Sequence, residues 1–334
     1  MPVDVVETMQ GALFSEQENR ATVRRGPVAS RFVLPPFTVL DARCGDWQER
    51  KRAWMLVGIR GEVGRQDALP YTGPARSFDF YRVKEGTRAT TDEQGTSIFD
   101  PTICELAYRW FCPTGGQVVD PFAGGSVRGI VASLLGLRYW GCDLRQEQID
   151  ANRDQLLPCL GPQTSAVGPC PEWVCADALD AVPAAPMADL VFSCPPYGDL
   201  ERYSDDPHDL STMEWHTFAA AYKRIILRCV ERLRADRFAC FVVGNFRDPR
   251  GFYRDLVGET VRGFEECGMH YYNEAVLVTS VGSGSMRVSK QFKSGRKLCK
   301  CHQNVLVFIK GDPRKAAQAC RRIEEDTGDD QSSA

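Results

Sequence analysis

Two short stretches of this 334-residue chain carry residue types that are suited to chemistry. In the first, an apolar run ends at Asp120 and is followed by Gly124 and Gly125. In the second, an apolar run ends in the stiff, polar sequence Ser193-Cys194-Pro195-Pro196-Tyr197. Glycines let backbone N–H groups approach a small ligand, and a tyrosine offers an aromatic face to a planar one. We therefore expect one corner to hold a cofactor and the other to present a substrate.

Carboxylates end three successive predicted strands, at Asp120, Asp143 and Asp177. Asp143 is suited to accept both hydroxyls of a ribose, and Asp177 to accept from an adenine amino group. Each such charge-assisted hydrogen bond contributes about 1.5–3 kcal/mol. A single aspartate of this kind is more simply read as a helix cap. Three of them in register favour a nucleoside-containing cofactor, although no G-x-G-x-x-G fingerprint of dinucleotide binding is present.

The order of the elements around these corners predicts the fold. Apolar strands alternate with helices, which is typical of a mostly parallel sheet covered on both faces. The sequence predicts strands at 117–120, 138–143, 173–177, 190–192, 238–243, 275–278 and 305–309, and helices at 101–111, 127–135, 146–157, 213–233 and 252–267. We therefore expect a Rossmann-like α/β fold with a seven-stranded sheet. Ligands bind at the carboxyl ends of such strands, where both corners lie.

The rest of the chain is divided by composition. Residues 1–30 show no sustained period and are expected to be disordered, and residues 31–96 form an N-terminal accessory segment. In this segment a short helix should bury Trp47, Trp54 and Leu56. Residues 97–311 form the main domain, and residues 312–334 are expected to be helical and then acidic and disordered.

Charge and composition limit the location and the metal content. The N-terminus lacks the order of a signal peptide and no apolar run reaches the length of a membrane span, so a cytoplasmic location without membrane contact is expected. Fourteen scattered cysteines favour reduced, buried thiols over a disulfide scaffold. The cluster Cys299-Lys300-Cys301-His302 lacks a second ligand pair, so no metal is expected, with a zinc site as the alternative.

Together the two corners point to a family. Asp120-Pro121-Phe122-Ala123-Gly124-Gly125-Ser126 resembles the S-adenosylmethionine (SAM) motif of the DNA amino-methyltransferases, and Ser193-Cys194-Pro195-Pro196-Tyr197 resembles their catalytic motif. These enzymes methylate adenine N6 or cytosine N4. The resemblance runs from about Ser97 to Lys310, and the Trp-rich N-terminal extension is similar to that of phage and prophage methylases.

The resemblance implies a Rossmann-like SAM methyltransferase fold, with SAM as cofactor and DNA, expected to be double-stranded, as partner in a bacterial or phage-infected host cytoplasm. The residues that it implies for SAM are Phe99, Asp120, Pro121, Phe122, Ala123, Gly124, Gly125, Ser126, Asp143, Leu144, Asp177 and Ala178. The implied catalytic residues are Ser193, Cys194, Pro195, Pro196 and Tyr197.

The chemistry of an exocyclic amine explains the second corner. Its lone pair is delocalised into the ring, so hydrogen bonds accepted by the Pro195 carbonyl and a preceding side chain would localise it. A base flipped out of the helix would stack on Tyr197, which contributes about 1–3 kcal/mol and is similar to the cost of unstacking. The family usually has Asp, Asn or Ser where this chain has Cys194, a weak acceptor. Either Ser193 or the backbone then takes over, or the substrate differs.

Contact with nucleic acid is expected from a basic segment, because residues 281–302 contain six Lys and Arg and no acidic residue. We predict a nucleic-acid-binding loop here, with a flexible, solvated loop as the equal alternative. Six phosphate contacts would give a slope of log K against log salt of about −5. The predicted contacts are Tyr203, Arg287, Lys290, Phe292, Lys293, Arg296 and Lys297.

Three other functions stay open from the sequence. The acceptor could be RNA or a protein glutamine amide, and the chain could be a SAM-binding regulator whose catalysis is impaired at Cys194. A cysteine nucleophile for pyrimidine C5 methylation would place Cys after a proline, whereas Cys194 stands before two. The sequence leaves open the target base, the recognition sequence, a restriction partner and the oligomeric state.

Overall fold

The computed structural model describes residues 32–59, 99–160, 168–198, 203–281 and 284–320. The predicted disorder at 1–30 and in the acidic tail after residue 320 lies outside these residues, as does part of the accessory segment. The helices are α1 Gly45–Leu56, α2 Pro101–Phe111, α3 Val127–Leu134, α4 Gln146–Asp154, α5 Leu156–Leu160, α6 Ala178–Ala181, α7 Trp215–Arg232, α8 Leu256–Glu266, α9 Gly284–Gly295 and α10 Pro313–Ala319.

The strands are β1 Val39–Asp41, β2 Gln117–Asp120, β3 Arg138–Asp143, β4 Glu172–Cys175, β5 Ala188–Ser193, β6 Leu233–Val243, β7 Phe246–Arg247, β8 Tyr253–Arg254, β9 His270–Val278 and β10 His302–Lys310. Eight of them form one sheet in the order β1-β9-β10-β6-β5-β2-β3-β4, and β7 and β8 form a separate hairpin. Only β10 among these eight described strands runs antiparallel to its neighbours.

This sheet, with helices on both faces, confirms the predicted Rossmann-like α/β class. The central strands β2 and β5 are buried along their whole length, which is why their middle residues form continuous apolar runs. The predicted number of strands was wrong by one, because β1 adds to the edge of the sheet and pairs in parallel with β9. A three-residue edge strand is too short to show a hydrophobic period.

Helix α1, which belongs to the accessory segment, contacts α2 through a buried cluster of charged side chains. The carboxylate of Glu105 is fully buried and accepts from Arg50, from Arg109 Nε at 2.8 Å and from Trp54 Nε1 at 2.7 Å. Breaking such a pair on one side costs about 3–5 kcal/mol. Trp54 and Trp47 are buried as predicted.

Leu56 corrects the prediction for this helix, because its side chain is 72% exposed. It is the last residue of α1, beyond the turn that packs Ala53 and Trp54 against the core.

The basic segment is the clearest departure from the predicted elements. Residues 284–295 form helix α9 and not a loop. Gly284 is the only buried residue on α9, and the apolar side chains Met286, Val288 and Phe292 are exposed or half-buried. The predicted helix 146–157 is also interrupted, and α4 and α5 replace it.

The fourteen cysteines all lie in the described residues, and they are free thiols. Six are buried, and burial raises the pKa of thiols such as Cys240. In the described ranges, no helix is long and apolar enough to cross a membrane. No group of three or more His, Cys, Asp or Glu side chains suited to hold a metal occurs in the same part of the chain.

Candidate active site

A cavity of about 380 Å³ lies at the carboxyl ends of the central strands. Both predicted corners open onto it, because Gly124 after β2 and Tyr197 after β5 line the same space. Its wall includes eight of the residues expected at SAM, namely Phe99, Pro121, Phe122, Gly124, Asp143, Leu144, Asp177 and Ala178. It also includes four of the five expected catalytic residues, namely Cys194, Pro195, Pro196 and Tyr197.

The glycine turn holds the carboxylate of Asp143 in place. Gly124 has a φ of 49°, a left-handed conformation that glycine adopts without strain. Its N–H donates to Asp143 Oδ2 at 3.1 Å, and the N–H of Arg145 donates to Oδ1 at 2.9 Å. Asn152 Nδ2 donates to the Gly124 carbonyl at 2.7 Å. Turn and carboxylate therefore form one rigid wall of the cavity.

Asp177 both caps a helix and faces the cavity. Its Oδ1 accepts from the N–H of Leu179 at 2.8 Å at the start of α6. A carboxylate has about four lone-pair sites, so the cap leaves acceptor capacity toward the cavity. The helix-cap and ligand-binding interpretations of this aspartate are therefore compatible.

Asp120, in contrast, is directed into the protein core. It is fully buried and accepts from Arg128 Nε at 2.5 Å, Tyr139 Oη at 2.8 Å and Ser193 Oγ at 2.5 Å. Arg128 also donates to the carbonyls of Phe122 and Ala123. Burial acts to lower the pKa of Arg128, but Asp120 together with Tyr139 and nearby cysteines raises it overall, so the guanidinium stays protonated. This buried pair braces the turn from behind.

Three more residues expected at the cofactor lie off the cavity wall, namely Ala123, Gly125 and Ser126. Ala123 and Ser126 are fully buried, and Ser126 Oγ donates to Gln155 Oε1 at 3.1 Å. The motif thus divides into a face that lines the cavity and a face that anchors the turn. Sequence alone does not separate them, because both faces belong to one short stretch.

The catalytic corner differs from expectation at Ser193. Its hydroxyl donates to Asp120 and its side chain is fully buried, so it does not reach the cavity. Cys194 lines the cavity with its Sγ 3.9 Å from the Tyr197 hydroxyl. The sequence offered two acceptors that could replace the weak acceptor Cys194, namely Ser193 and the backbone at Pro195. Of these two, Pro195 lines the cavity.

The Tyr197 hydroxyl accepts a hydrogen bond from a residue on a different strand. Gln303 on β10 donates to it from Nε2 at 2.6 Å. Burial raises the pKa of Tyr197, so the phenol is protonated at neutral pH. The Gln303 side chain also lines the cavity. The sequence analysis missed it, since a glutamine near the start of a C-terminal strand shows no pattern of its own.

An ion pair that the sequence analysis also missed stands at the accessory end of the cavity. Lys51 Nζ lies 3.2 Å from Asp100 Oδ2, which also accepts from Trp47 Nε1 at 3.1 Å. Asp100 Oδ1 caps α2 by accepting from the N–H of Thr102 at 2.9 Å. The family resemblance implies that residues 97–101 meet the methionine end of SAM, but nothing in the sequence places Lys51 beside them. Phe99 adjoins it, with the Arg128 guanidinium 4.6 Å from its ring centre.

The residues predicted for nucleic acid fall into two places. Tyr203 lines the cavity, and its N–H donates to Ser211 Oγ at 3.1 Å. The others lie on α9 or directly after it, off the cavity wall, namely Arg287, Lys290, Phe292, Lys293, Arg296 and Lys297. Arg296 lies over the Phe292 ring, 5.1 Å from its centre.

No protein-family model and no curated protein matches the chain. Among solved structures, the chain is similar to TrmN from Thermus thermophilus, with 16% identity over 64% of this chain and 49% of that one and a TM-score of 0.41. It therefore spans about half the length of that protein. The SAH-bound magnesium protoporphyrin IX methyltransferase of Synechocystis PCC 6803 gives 10% identity, coverage of 71% and 95%, and a TM-score of 0.43.

A third similar structure, also from Thermus thermophilus, carries the provisional description of a DNA modification methylase. It has 16% identity over 41% of this chain and 51% of that one, with a TM-score of 0.31. All three similarities lie at low sequence identity. Its function has to be argued from its own site.

Proposed function

We propose that this protein transfers a methyl group from SAM to an exocyclic amino group of a base in DNA, adenine N6 or cytosine N4. The observation that carries the proposal is that the Gly124–Asp143 wall and the Cys194–Tyr197 corner face one cavity. Methyl transfer depends mainly on positioning a donor and an acceptor. A shared cavity between a cofactor-type wall and an aromatic corner supplies that requirement.

The hydrogen-bonding groups of the cavity fit the parts of SAM in the order of the strands that carry these groups. Asp177, Asp143 and Gly124 follow β4, β3 and β2, which are neighbours in the sheet. Carboxylates suit the adenine amino group and the ribose hydroxyls, and a backbone turn suits close approach.

The accessory end of the cavity fits the remaining part of SAM. The methionine end carries one ammonium and one carboxylate. The Lys51–Asp100 pair offers the complementary charges, with Lys51 for the carboxylate and Asp100 for the ammonium.

The protein groups around the acceptor would orient it and raise its reactivity. Bound SAM supplies an electrophilic methyl group on a sulfonium. The Pro195 carbonyl accepts a hydrogen bond from the substrate amine, which localises its lone pair. Tyr197 stacks on the base, and Gln303 holds the Tyr197 hydroxyl so that the ring stays across the cavity from the turn. Cys194 lies beside the amine as a small, weakly polar wall.

Two alternative methyl acceptors are RNA and a protein glutamine amide, and the experiment below includes both. RNA offers the same amines, and a protein glutamine amide has comparable chemistry. The basic segment 281–302 favours a polyanion over a protein amide, because it carries six cations and no acidic residue. A SAM-binding regulator without catalysis is the further alternative that the weak acceptor Cys194 raises.

The test supplies labelled SAM together with duplex DNA, RNA or a protein extract. We expect label in DNA and its loss in Tyr197→Ala. Label only in RNA or protein would overturn the DNA assignment, and SAM binding without any transfer would favour the regulator. Sequencing of DNA co-expressed with the protein, with a read-out for modified bases, identifies the base and its sequence context.

A further inference from the structure

A basic and aromatic surface outside the cavity is built on the β7–β8 hairpin, residues 245–255. Three arginines of the hairpin each lie over an aromatic ring. The Arg247 guanidinium is 4.0 Å from the Tyr253 ring centre, and that of Arg250 is 5.5 Å from Phe252. Arg254 lies 5.5 Å from the ring of Trp215. Rings that hold guanidinium groups limit their rotation. Arg247 Nη1 also donates to the Gly251 carbonyl at 2.8 Å and Arg250 Nε to Asp248 Oδ2 at 3.3 Å, so each of these two guanidinium groups keeps the rest of its five N–H donors for a ligand.

The hairpin begins directly beside the catalytic corner. The Phe246 ring packs so closely on Gly198 that a Cβ at this glycine would lie 2.6 Å from it. Lys300 Nζ donates to the Asn245 carbonyl at 3.1 Å. A Cβ on Gly244 would lie 2.9 Å from the same Nζ and 4.0 Å from the Tyr197 hydroxyl. A polymer bound along the hairpin would therefore reach the mouth of the cavity.

The segment that follows α9 joins this surface. Lys297 lies over the hairpin turn, because a Cβ at Gly251 would stand 2.1 Å from its Nζ. The hairpin and residues 284–301 together contain nine Lys and Arg and only two Asp, in a chain whose net charge is −3. Both aspartates have local partners. Asp248 is buried and accepts from the Phe252 N–H, and Asp255 caps α8.

Exposed aromatic rings accompany these charges. Phe252 is 66% exposed and Tyr253 is 49% exposed, whereas Phe246 anchors the hairpin in the core. Arginines and lysines that alternate with exposed rings match a polynucleotide, whose phosphates and bases alternate in the same way. A folded protein partner would offer no such regular array of anionic groups.

We infer that the hairpin, together with Lys297, binds the phosphate backbone of the polynucleotide that presents its base to the cavity. The inference rests on the proposed function for the nature of the substrate. Arg247, Arg250 and Arg254 contact phosphates, and Phe252 stacks on a base or packs on a sugar. The α9 residues predicted from sequence extend this surface and do not form it alone.

The test is the salt dependence of binding to short fluorescein-labelled duplex DNA, followed by anisotropy over about 50–200 mM salt. The variant is Arg247→Gln/Arg250→Gln/Arg254→Gln. The slope of log K against log salt should fall in magnitude by about 2–3, at about 0.9 per phosphate contact, and affinity should drop at least about tenfold. Single-stranded DNA and RNA of the same sequence are the other two arms.

The matched control removes three arginines from the far side of the protein, as Arg224→Gln/Arg228→Gln/Arg234→Gln. Arg228 lies near the end of α7 and Arg234 near the start of β6, whereas it is the carboxyl end of β6 that reaches the cavity. This control should bind with the wild-type slope. The single variant Arg254→Glu keeps the test valid should the triple variant unfold, and thermal unfolding with SAM titration checks the fold of each.

The outcomes separate this inference from the proposed function. If the wild-type protein methylates DNA, and the hairpin variant and the control variant bind DNA with the same affinity and salt slope, the inference is overturned and the proposed function stands. Hairpin-dependent binding without methyl transfer to any nucleic acid upholds the inference and overturns the proposed function. Absence of wild-type binding to all three polynucleotides overturns the inference, and label in the protein extract would then identify the acceptor.

Discussion

Gln303 donates a hydrogen bond of 2.6 Å to the hydroxyl of Tyr197, a residue 106 positions earlier in the chain. The contact joins the tip of the catalytic corner, after β5, to the antiparallel strand β10 on the far side of β6. The Tyr197 ring is therefore fixed from two elements, and its angle to the cavity does not depend on the short corner alone.

We expect Gln303→Leu to lower the turnover of methyl transfer about tenfold while SAM affinity stays unchanged. The hydrogen bond that orients Tyr197 is lost, but the cofactor wall keeps its contacts. Double-mutant cycles with Tyr197→Phe should give a coupling free energy of about 1 kcal/mol in denaturant unfolding. Asn304→Leu is the control, since Asn304 pairs with Glu274. Additive effects of the Gln303 and Tyr197 changes would contradict the proposed orientation.

Asp143→Ala should weaken SAM binding at least about tenfold by calorimetry, because a charge-assisted hydrogen bond to a ribose is worth about 1.5–3 kcal/mol. Asp143→Asn keeps an acceptor for the Gly124 N–H and should lose less. Asp154→Ala, on the exposed end of α4, removes an equal charge and should bind as wild type. Unchanged affinity in Asp143→Ala would refute the assignment of this carboxylate to the ribose.

Lys51→Met should distinguish the two ends of the cofactor. SAM affinity should fall about tenfold or more, because the α-carboxylate loses its cation. Affinity for 5′-methylthioadenosine, which lacks the amino-acid group, should stay within about twofold. Arg52→Gln, at the neighbouring position of α1, is the control. Equal losses for both ligands would mean that Lys51 acts on the shape of the cavity and not on the carboxylate.

Cys194→Ala should retain methyl transfer to an exocyclic amine, since that reaction needs no covalent bond between enzyme and base. We expect less than about a tenfold loss, consistent with the weak hydrogen bonds of a thiol. No denaturant-stable complex should form with DNA that contains 5-fluorocytosine. Complete loss of activity together with such a complex in wild type would establish a cysteine nucleophile. A gain of activity in Cys194→Asn would favour the alternative of a SAM-binding regulator whose catalysis is impaired at Cys194.

Lys300 should give the stability of the protein a pH dependence in the alkaline range. Burial lowers the pKa of Lys300 from 10.5 to about 8. Between these values the unfolded state binds more protons, so stability rises with pH across the window, and below about pH 8 the cost of the buried charge is complete. Relative to Lys300→Met, wild type should gain on the order of 1 kcal/mol between pH 7 and 10, after allowance for solvent screening.

Denaturant unfolding at several pH values measures this difference. Lys290→Met, which removes an exposed lysine of α9, should differ from wild type by the same amount at every pH tested. If the difference in unfolding free energy between wild type and Lys300→Met does not change with pH, the Lys300 ammonium is better solvated than its position implies.

Local patterns were enough to predict the class of fold. Buried strands such as β2 and β5 have continuous apolar centres, residues 118–119 and 190–192, and Asp100 with Pro101 marks the start of α2. Elements without such a pattern were missed, namely the edge strand β1, the surface helix α9 and the β7–β8 hairpin, whose second strand occupies residues 253–254 of the predicted helix 252–267. Their residues are held by pairing or by connections to the rest of the fold, so their own composition carries little information.

For the site, the sequence by itself determined which residue types stand at the ends of β2, β3, β4 and β5, because strand ends and corners follow from local order. Only the tertiary structure decided which of these side chains reach the cavity. It directs Asp120 and Ser193 into a buried network with Arg128, and it brings Lys51 and Gln303 to the wall from distant elements. The reason is physical: a side chain is directed by the partners that satisfy its charge and hydrogen bonds, and these partners meet only when the sheet has assembled.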